Sequence, residues 1–171
     1  MLQRRALLSM VATAAIGGRT LPTMAGTLPP PAGEVLLTVT GAISATNDAG
    51  AARLDRAQLL AWGPGQLRTT TPWTEGAATF EGVFGDRLLA ELGVIGTLLR
   101  CTALNDYSVD IPVQELREFP VLFALQQDGE ALKPRGRGPI WVVYPWSQHP
   151  DLDDRLHRQR AIWQLTAIAV A

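Results

Sequence analysis

Beyond its first 25 residues the chain nowhere sustains an apolar helical period for more than about three turns. A helical bundle needs longer stripes to close a core, so that class is excluded. The chain offers short β-rich runs separated by short helical ones, with no long βαβ crossover and no internal repeat. That order argues for an α+β fold, a single mixed β domain with short helices. Strands are predicted over 35–40, 67–73, 97–102, 107–111, 121–126 and 140–144, with a closing strand within 161–170. Short helices are predicted over 54–62, closed by Gly63-Pro64-Gly65; over 86–92, stopped by Gly93; and over 112–117, where Pro112 suits the first turn. Residues 140–144, Ile-Trp-Val-Val-Tyr, are too apolar for anything but a buried strand.

The start of the chain is read separately. Arg4 and Arg5 precede the apolar run 6–16, and Gly17, Gly18 and the small residues around Thr23-Met24-Ala25 follow, in the order of an export signal over residues 1–25. The apolar run rises about 16 Å as a helix, roughly half a hydrocarbon core, so it is no membrane span. The arginine pair also fits the twin-arginine route. Cleavage after Ala25 leaves 146 residues with 12 basic and 16 acidic side chains, a net charge of about −4. Such a surface repels nucleic acid and anionic lipid, so neither is an expected partner. The export signal makes a periplasmic location the expected one. Residues 26–33, with Pro29-Pro30-Pro31, read as an extended tether, and 34–171 as the folded domain. The single Cys101 permits no intramolecular disulfide, so stability rests on a packed core.

Several chemistries lack support. None of Ser44, Ser108 or Ser147 lies in a Gly-x-Ser-x-Gly elbow. His149 and His157, with Asp151, Asp153 and Asp154 between them, read as a solvated loop and helix start rather than a metal site. Gly136-Arg137-Gly138-Pro139 matches neither a dinucleotide fingerprint nor a P-loop. What remains is a set of aromatic and hydrogen-bonding residues at strand ends: Trp73, Asn105-Asp106-Tyr107-Ser108, Arg135, Arg137, Tyr144, Trp146 and Arg160. Such a set suits a flat heteroaromatic ligand, which gains stacking energy on Trp or Tyr and offers an edge to carboxylate, amide or guanidinium partners. Trp141 and Trp163 read as core within apolar strands, and Trp62 as a helix-end plug. For Trp73 and Trp146 packing and ligand contact stand equally open.

The succession Thr69-Thr70-Thr71-Pro72-Trp73-Thr74, then Phe80-Glu81-Gly82-Val83 before a helix, resembles the molybdenum-cofactor domain of the sulfite oxidase superfamily (SUOX fold). Residues 101–112, the Leu-x-x-Asp-Gly-x-x-Leu turn of 125–132, Gly138-Pro139-Ile140-Trp141 and Arg160-Ala161-Ile162-Trp163 resemble further segments of that family, in order. Two departures stand out. The family's metal-binding cysteine, four residues before the Trp, is replaced by Thr69, and its usual Arg after the Gly-Pro-aliphatic step by Trp141. A neutral hydroxyl is a poor substitute for a soft thiolate on a high-valent metal. Cys101 lies on a later strand and reads as a buried or semi-buried free thiol.

Residues 103–112 and 141–145 are similar to a compact, exported branch without the cysteine ligand, to which the PruR-type pterin-binding regulators belong. That resemblance implies a free pterin as ligand, a kept pterin slot without redox chemistry, and the periplasmic domain of a membrane cyclic-di-GMP enzyme as partner. On it, Trp73 or Tyr107 stacks on the ring, Asn105 or Asp106 pairs with its 2-amino-4-oxo edge, and Arg135, Arg137 and Arg160 hold the polar substituent. Ligand binding would then reshape the rim, with 146–156 as the candidate loop. The alternative implied by the superfamily is a molybdopterin-dependent oxidoreductase subunit with Cys101 or solvent as metal ligand. A ligand-free interaction module is the third reading.

Overall fold

The computed structural model describes residues 26–171, so the export signal expected over 1–25 lies outside the described residues. Two sheets share one hydrophobic core. Strands β1 (Val35–Gly41), β2 (Ala52–Asp55), β5 (Leu98–Ala103), β6 (Ser108–Pro112) and β10 (Leu165–Val170) form the first, in the order β2-β1-β10-β5-β6. β1 and β10 run parallel, pairing Val39 with Ile168, and the other pairs are antiparallel. The second sheet orders β3 (Gly65–Thr70), β4 (Ala77–Phe84), β7 (Leu122–Gln127) and β8 (Glu130–Ala131), with β9 (Trp141–Val143) also paired to β7.

Among the described residues four short α-helices, α1 (Arg56–Ala61), α2 (Gly85–Leu92), α3 (Val113–Glu118) and α4 (Arg155–Arg160), and a 3-10 turn at Pro150–Leu152 complete the α+β domain. Each has a local cause. Asp55 caps α1 by accepting from Gln58 N, while the Gln58 side chain accepts from Asp55 N, a reciprocal capping box. Gly93 ends α2 in a left-handed conformation at φ 57°, which glycine adopts without penalty. α2 buries Leu88, Leu89 and Leu92, each contributing about 1.5–3 kcal/mol relative to exposure. Asp154 caps α4 by accepting from His157 N.

The structure departs from the sequence reading at five places. The strand expected over 67–73 runs Gly65–Thr70 and gives way to a turn at 71–74, where Pro72 has no N–H for a ladder. The helix expected over 54–62 starts at Arg56, because 52–55 is strand β2. β4 was expected only as a motif before a helix, yet it is the inner strand between β3 and β7. The closing strand starts at Leu165 rather than near 161. Residues 26–33 are docked rather than hanging free: Leu28 N donates to Thr46 O at 3.0 Å, and the amides of Ala32 and Gly33 both donate to Asp55 Oδ2 at 2.8 Å.

Candidate functional site

The Thr-Thr-Pro-Trp-Thr run is a turn that presents Trp73. Thr71 Oγ1 accepts from Trp73 N at 3.1 Å, and Thr71 N donates to Thr74 Oγ1 at 3.1 Å. The half-buried Trp73 ring sits 6.0 Å from Trp141, 6.0 Å from Trp146 and 5.5 Å from Trp163, in edge-on or tilted geometries that aromatic quadrupoles favour. The Arg137 guanidinium lies 4.8 Å over the Trp141 ring and 5.1 Å from that of Trp163, and its Nη2 donates to Trp73 O at 2.9 Å. Arg137 Nε is buried without a protein partner, as is Trp141 Nε1.

Two hollows open on either side of Trp163, which is 39% exposed. The first, about 340 Å³, is lined by Trp73, Asn105, Tyr107, Arg158, Gln159 and Trp163, among others. The second, about 810 Å³, is lined by Lys133, Arg135, Arg137 and Trp163, with Asp128 and Glu130 on its acidic side. The smaller cleft sets three aromatic residues beside amide groups and Arg158, whose Nε donates to Asp153 Oδ1 at 2.7 Å, and its volume falls within the range of about 300–1,000 Å³ usual for small-molecule sites. A further hollow of about 810 Å³ is lined mainly by apolar residues such as Leu36, Leu60, Leu104 and Leu132, with Glu34, Asp55, Arg56 and Lys133 also on its lining and no aromatic residue.

The structure brings Trp73, Asn105 and Tyr107 together in the smaller cleft, and places Arg135 and Arg137 in the larger. The other residues singled out in the sequence stand elsewhere. Asp106 occupies the exposed tip of the β5–β6 hairpin at φ 63°, a conformation that Asp tolerates better than most residues. Ser108 Oγ is 2.9 Å from Thr102 Oγ1 across the hairpin. Tyr144 is fully buried, its hydroxyl donating to Glu115 Oε1 at 2.5 Å, and burial beside that carboxylate pushes the phenol well above its ordinary pKa. Trp146 is 4% exposed and donates through Nε1 to Leu152 O at 3.0 Å, so packing accounts for it and the loop it begins is pinned. Arg160 is committed to Glu115 Oε2 and, through Nε, to Asp110 O.

Trp163, Lys133, Arg158 and Gln159 line the two hollows without having been singled out for a ligand. Trp163 read as core because Ala161-Ile162-Trp163 looks like the start of an apolar strand. Gln164, at φ 55°, breaks that strand and leaves the indole in the bend before β10.

The donor set does not fit a protein-ligated metal. Thr69 is fully buried; its Oγ1 donates to Thr70 O at 3.1 Å and accepts from Ser147 N at 2.9 Å. Cys101 is also fully buried, and burial together with Asp110 pushes its thiol up to about 12, which keeps it protonated at neutral pH. Among the described residues no group of three or more His, Cys, Asp and Glu is placed to hold a metal ion. No described helix is long and apolar enough to cross a membrane.

No family model matches the chain, and no curated protein matches it either. Among solved structures, the crystal structure of the sulfane dehydrogenase SoxCD from Paracoccus pantotrophus superposes with a TM-score of 0.54 at 19% identity, over 80% of this chain and 38% of that one. This chain therefore spans well under half the length of that protein. The likeness is one of fold: the chain's two-sheet α+β domain is distantly similar to part of an oxidoreductase, as its motifs suggested.

Proposed function

We propose that the protein binds a free pterin in the cleft between Trp73, Tyr107 and Trp163, and serves as an exported ligand-reporting protein rather than as an oxidoreductase. The observation that carries the reading is the cleft itself: three aromatic faces beside Asn105, Arg158 and Gln159 in about 340 Å³. The ring stacks on Trp163 or Trp73, and its 2-amino-4-oxo edge meets Asn105 and Gln159. Arg135, Arg137 and Lys133, across Trp163, receive a polar substituent. One stack and two or three hydrogen bonds, at about 1 kcal/mol each net and more for charged partners, reach micromolar affinity only with the added burial of the ring in a preformed slot. The packing of Trp141, Trp146 and Trp163 around Trp73, with Arg137 against the Trp141 and Trp163 rings, supplies that preorganisation.

Signalling to the periplasmic domain of a membrane sensor of the cyclic-di-GMP enzyme type belongs to the same proposal and rests on the sequence resemblance. The superposition on a dehydrogenase is the one observation favouring the oxidoreductase alternative.

Denaturing natively exported protein and analysing what it releases tests both readings. The expected result is one pterin per chain and no molybdenum. Stoichiometric molybdenum would overturn the proposal in favour of the oxidoreductase, and release of neither would leave an interaction module. In parallel, Trp163→Ala is expected to weaken pterin binding at least tenfold, read by quenching of the remaining tryptophans at a temperature well below the variant's own unfolding midpoint.

A further inference from the structure

Both hollows share a structural hub outside their linings. Gln164 carries the left-handed φ of 55°, a conformation that favours glycine, and its side chain explains why a larger residue stands there. Its Nε2 donates to Pro134 O at 2.7 Å and to Gly136 O at 3.1 Å, using both amide hydrogens on the loop that carries Lys133, Arg135 and Arg137. Its backbone N–H donates to Arg137 O at 2.9 Å. Its carbonyl accepts from Leu104 N at 2.9 Å, at the base of the turn that carries Asn105 and Tyr107. Trp163, the wall between the hollows, is its immediate neighbour in the chain.

We infer that Gln164 is the positioning residue of the site: it holds the cationic loop and the Asn105–Tyr107 turn in register on either side of Trp163. It touches neither hollow and acts only through the groups it fixes. Glycine would satisfy the backbone at lower conformational cost, so the glutamine's two side-chain bonds are what the position requires beyond φ. The inference rests on the pterin reading for its effect on binding, and on the hydrogen bonds alone for its effect on the loop.

Two variants of the whole exported chain separate these. Gln164→Gly keeps the left-handed backbone and deletes both side-chain bonds. Gln164→Glu keeps the size and brings an acceptor oxygen against two carbonyls. Amide exchange at Gly136 and Gly138, whose N–H groups close the loop onto Lys133 O at 2.9 and 3.0 Å, is expected to accelerate at least tenfold in both variants. Exchange at Cys101 and Ile168 in the first sheet should stay at the unmodified rate, which a general loss of stability would not allow. Pterin affinity, read by tryptophan quenching, is expected to fall at least tenfold. Unchanged exchange at Gly136 and Gly138 overturns the inference, and so does faster exchange with undiminished pterin affinity. If the unmodified protein binds no pterin, the functional reading falls, while the exchange rates still decide whether Gln164 fixes the loop.

Discussion

Thr69 shows how one side chain fixes what this fold can do. Its hydroxyl is an acceptor for Ser147 N and a donor to Thr70 O in a fully buried place, so it is a structural link between β3 and the segment after β9. Thr69→Val keeps the volume and leaves the Ser147 N–H without that acceptor. The expected cost is roughly 1–3 kcal/mol, read as a shift in the denaturation midpoint, with pterin affinity unchanged. Arg160 makes a parallel case. Sequence reasoning grouped it with the ligand-holding arginines, but its guanidinium is spent on the buried Glu115 carboxylate. Arg160→Gln is therefore expected to destabilise by about 3–5 kcal/mol, because it leaves a buried charge without its partner. Loss of pterin affinity without loss of stability would restore Arg160 to the binding site. The residue types of the site were legible in the sequence, and Trp73, Asn105 and Tyr107 do meet in one cleft. Burial was not legible: nothing local distinguishes Tyr144 and Trp146, packed against Glu115 and Leu152, from Trp163, which a single left-handed residue turns out of its strand.

At the scale of elements, Asp55 joins three segments that no local sequence pattern connects. It ends β2, caps α1, and accepts the Ala32 and Gly33 amides that dock the start of the domain. Those backbone N–H groups, with Gln58 and Gly33 foremost, hold its carboxyl below the usual 3.8. A folded pKa lowered in this way gives stability that is present above the unfolded pKa and is lost as pH falls through the folded value. The expected outcome is that the unmodified chain exceeds Asp55→Asn in unfolding midpoint at pH 6, and that the gap narrows below about pH 4. A gap that stays constant down to pH 2 would show that the carboxylate charge contributes nothing. β2 escaped sequence reading because Leu54, Ala57 and Ala61 also satisfy a helical period. β4 escaped it because Gly82 reads as a breaker. The structure shows the opposite role: a Cβ at Gly82 would lie 2.0 Å from Phe123 O, so glycine is what lets β4 approach β7.

For the molecule as a whole, the alternation of short elements and the buried 140–144 run were enough to specify an α+β domain, but the division into two sheets was not. It depends on β1 pairing in parallel with β10, a contact between the two ends of the domain that no local pattern encodes. Cys101 offers a direct measure of how tightly that arrangement is closed. It lies on β5, between β10 and β6, with no exposed surface. With its thiol near 12, roughly one molecule in ten thousand carries a thiolate at pH 8 even before access is considered. Thiol reagents are therefore expected to label Cys101 only through opening of the β10–β5–β6 region, at a rate that rises with denaturant in step with unfolding. Labelling at the rate of an exposed thiol would mean that the first sheet is not closed. The same readout reaches the ligand, because a molecule bound only by the folded state suppresses opening by the factor 1 + [L]/Kd. At a pterin concentration a hundred times its Kd, labelling is expected to slow by about a hundredfold if the opening that exposes Cys101 also dismantles the Trp163 cleft. Labelling indifferent to a pterin that demonstrably binds would separate the two, with β5 opening while the cleft stays intact.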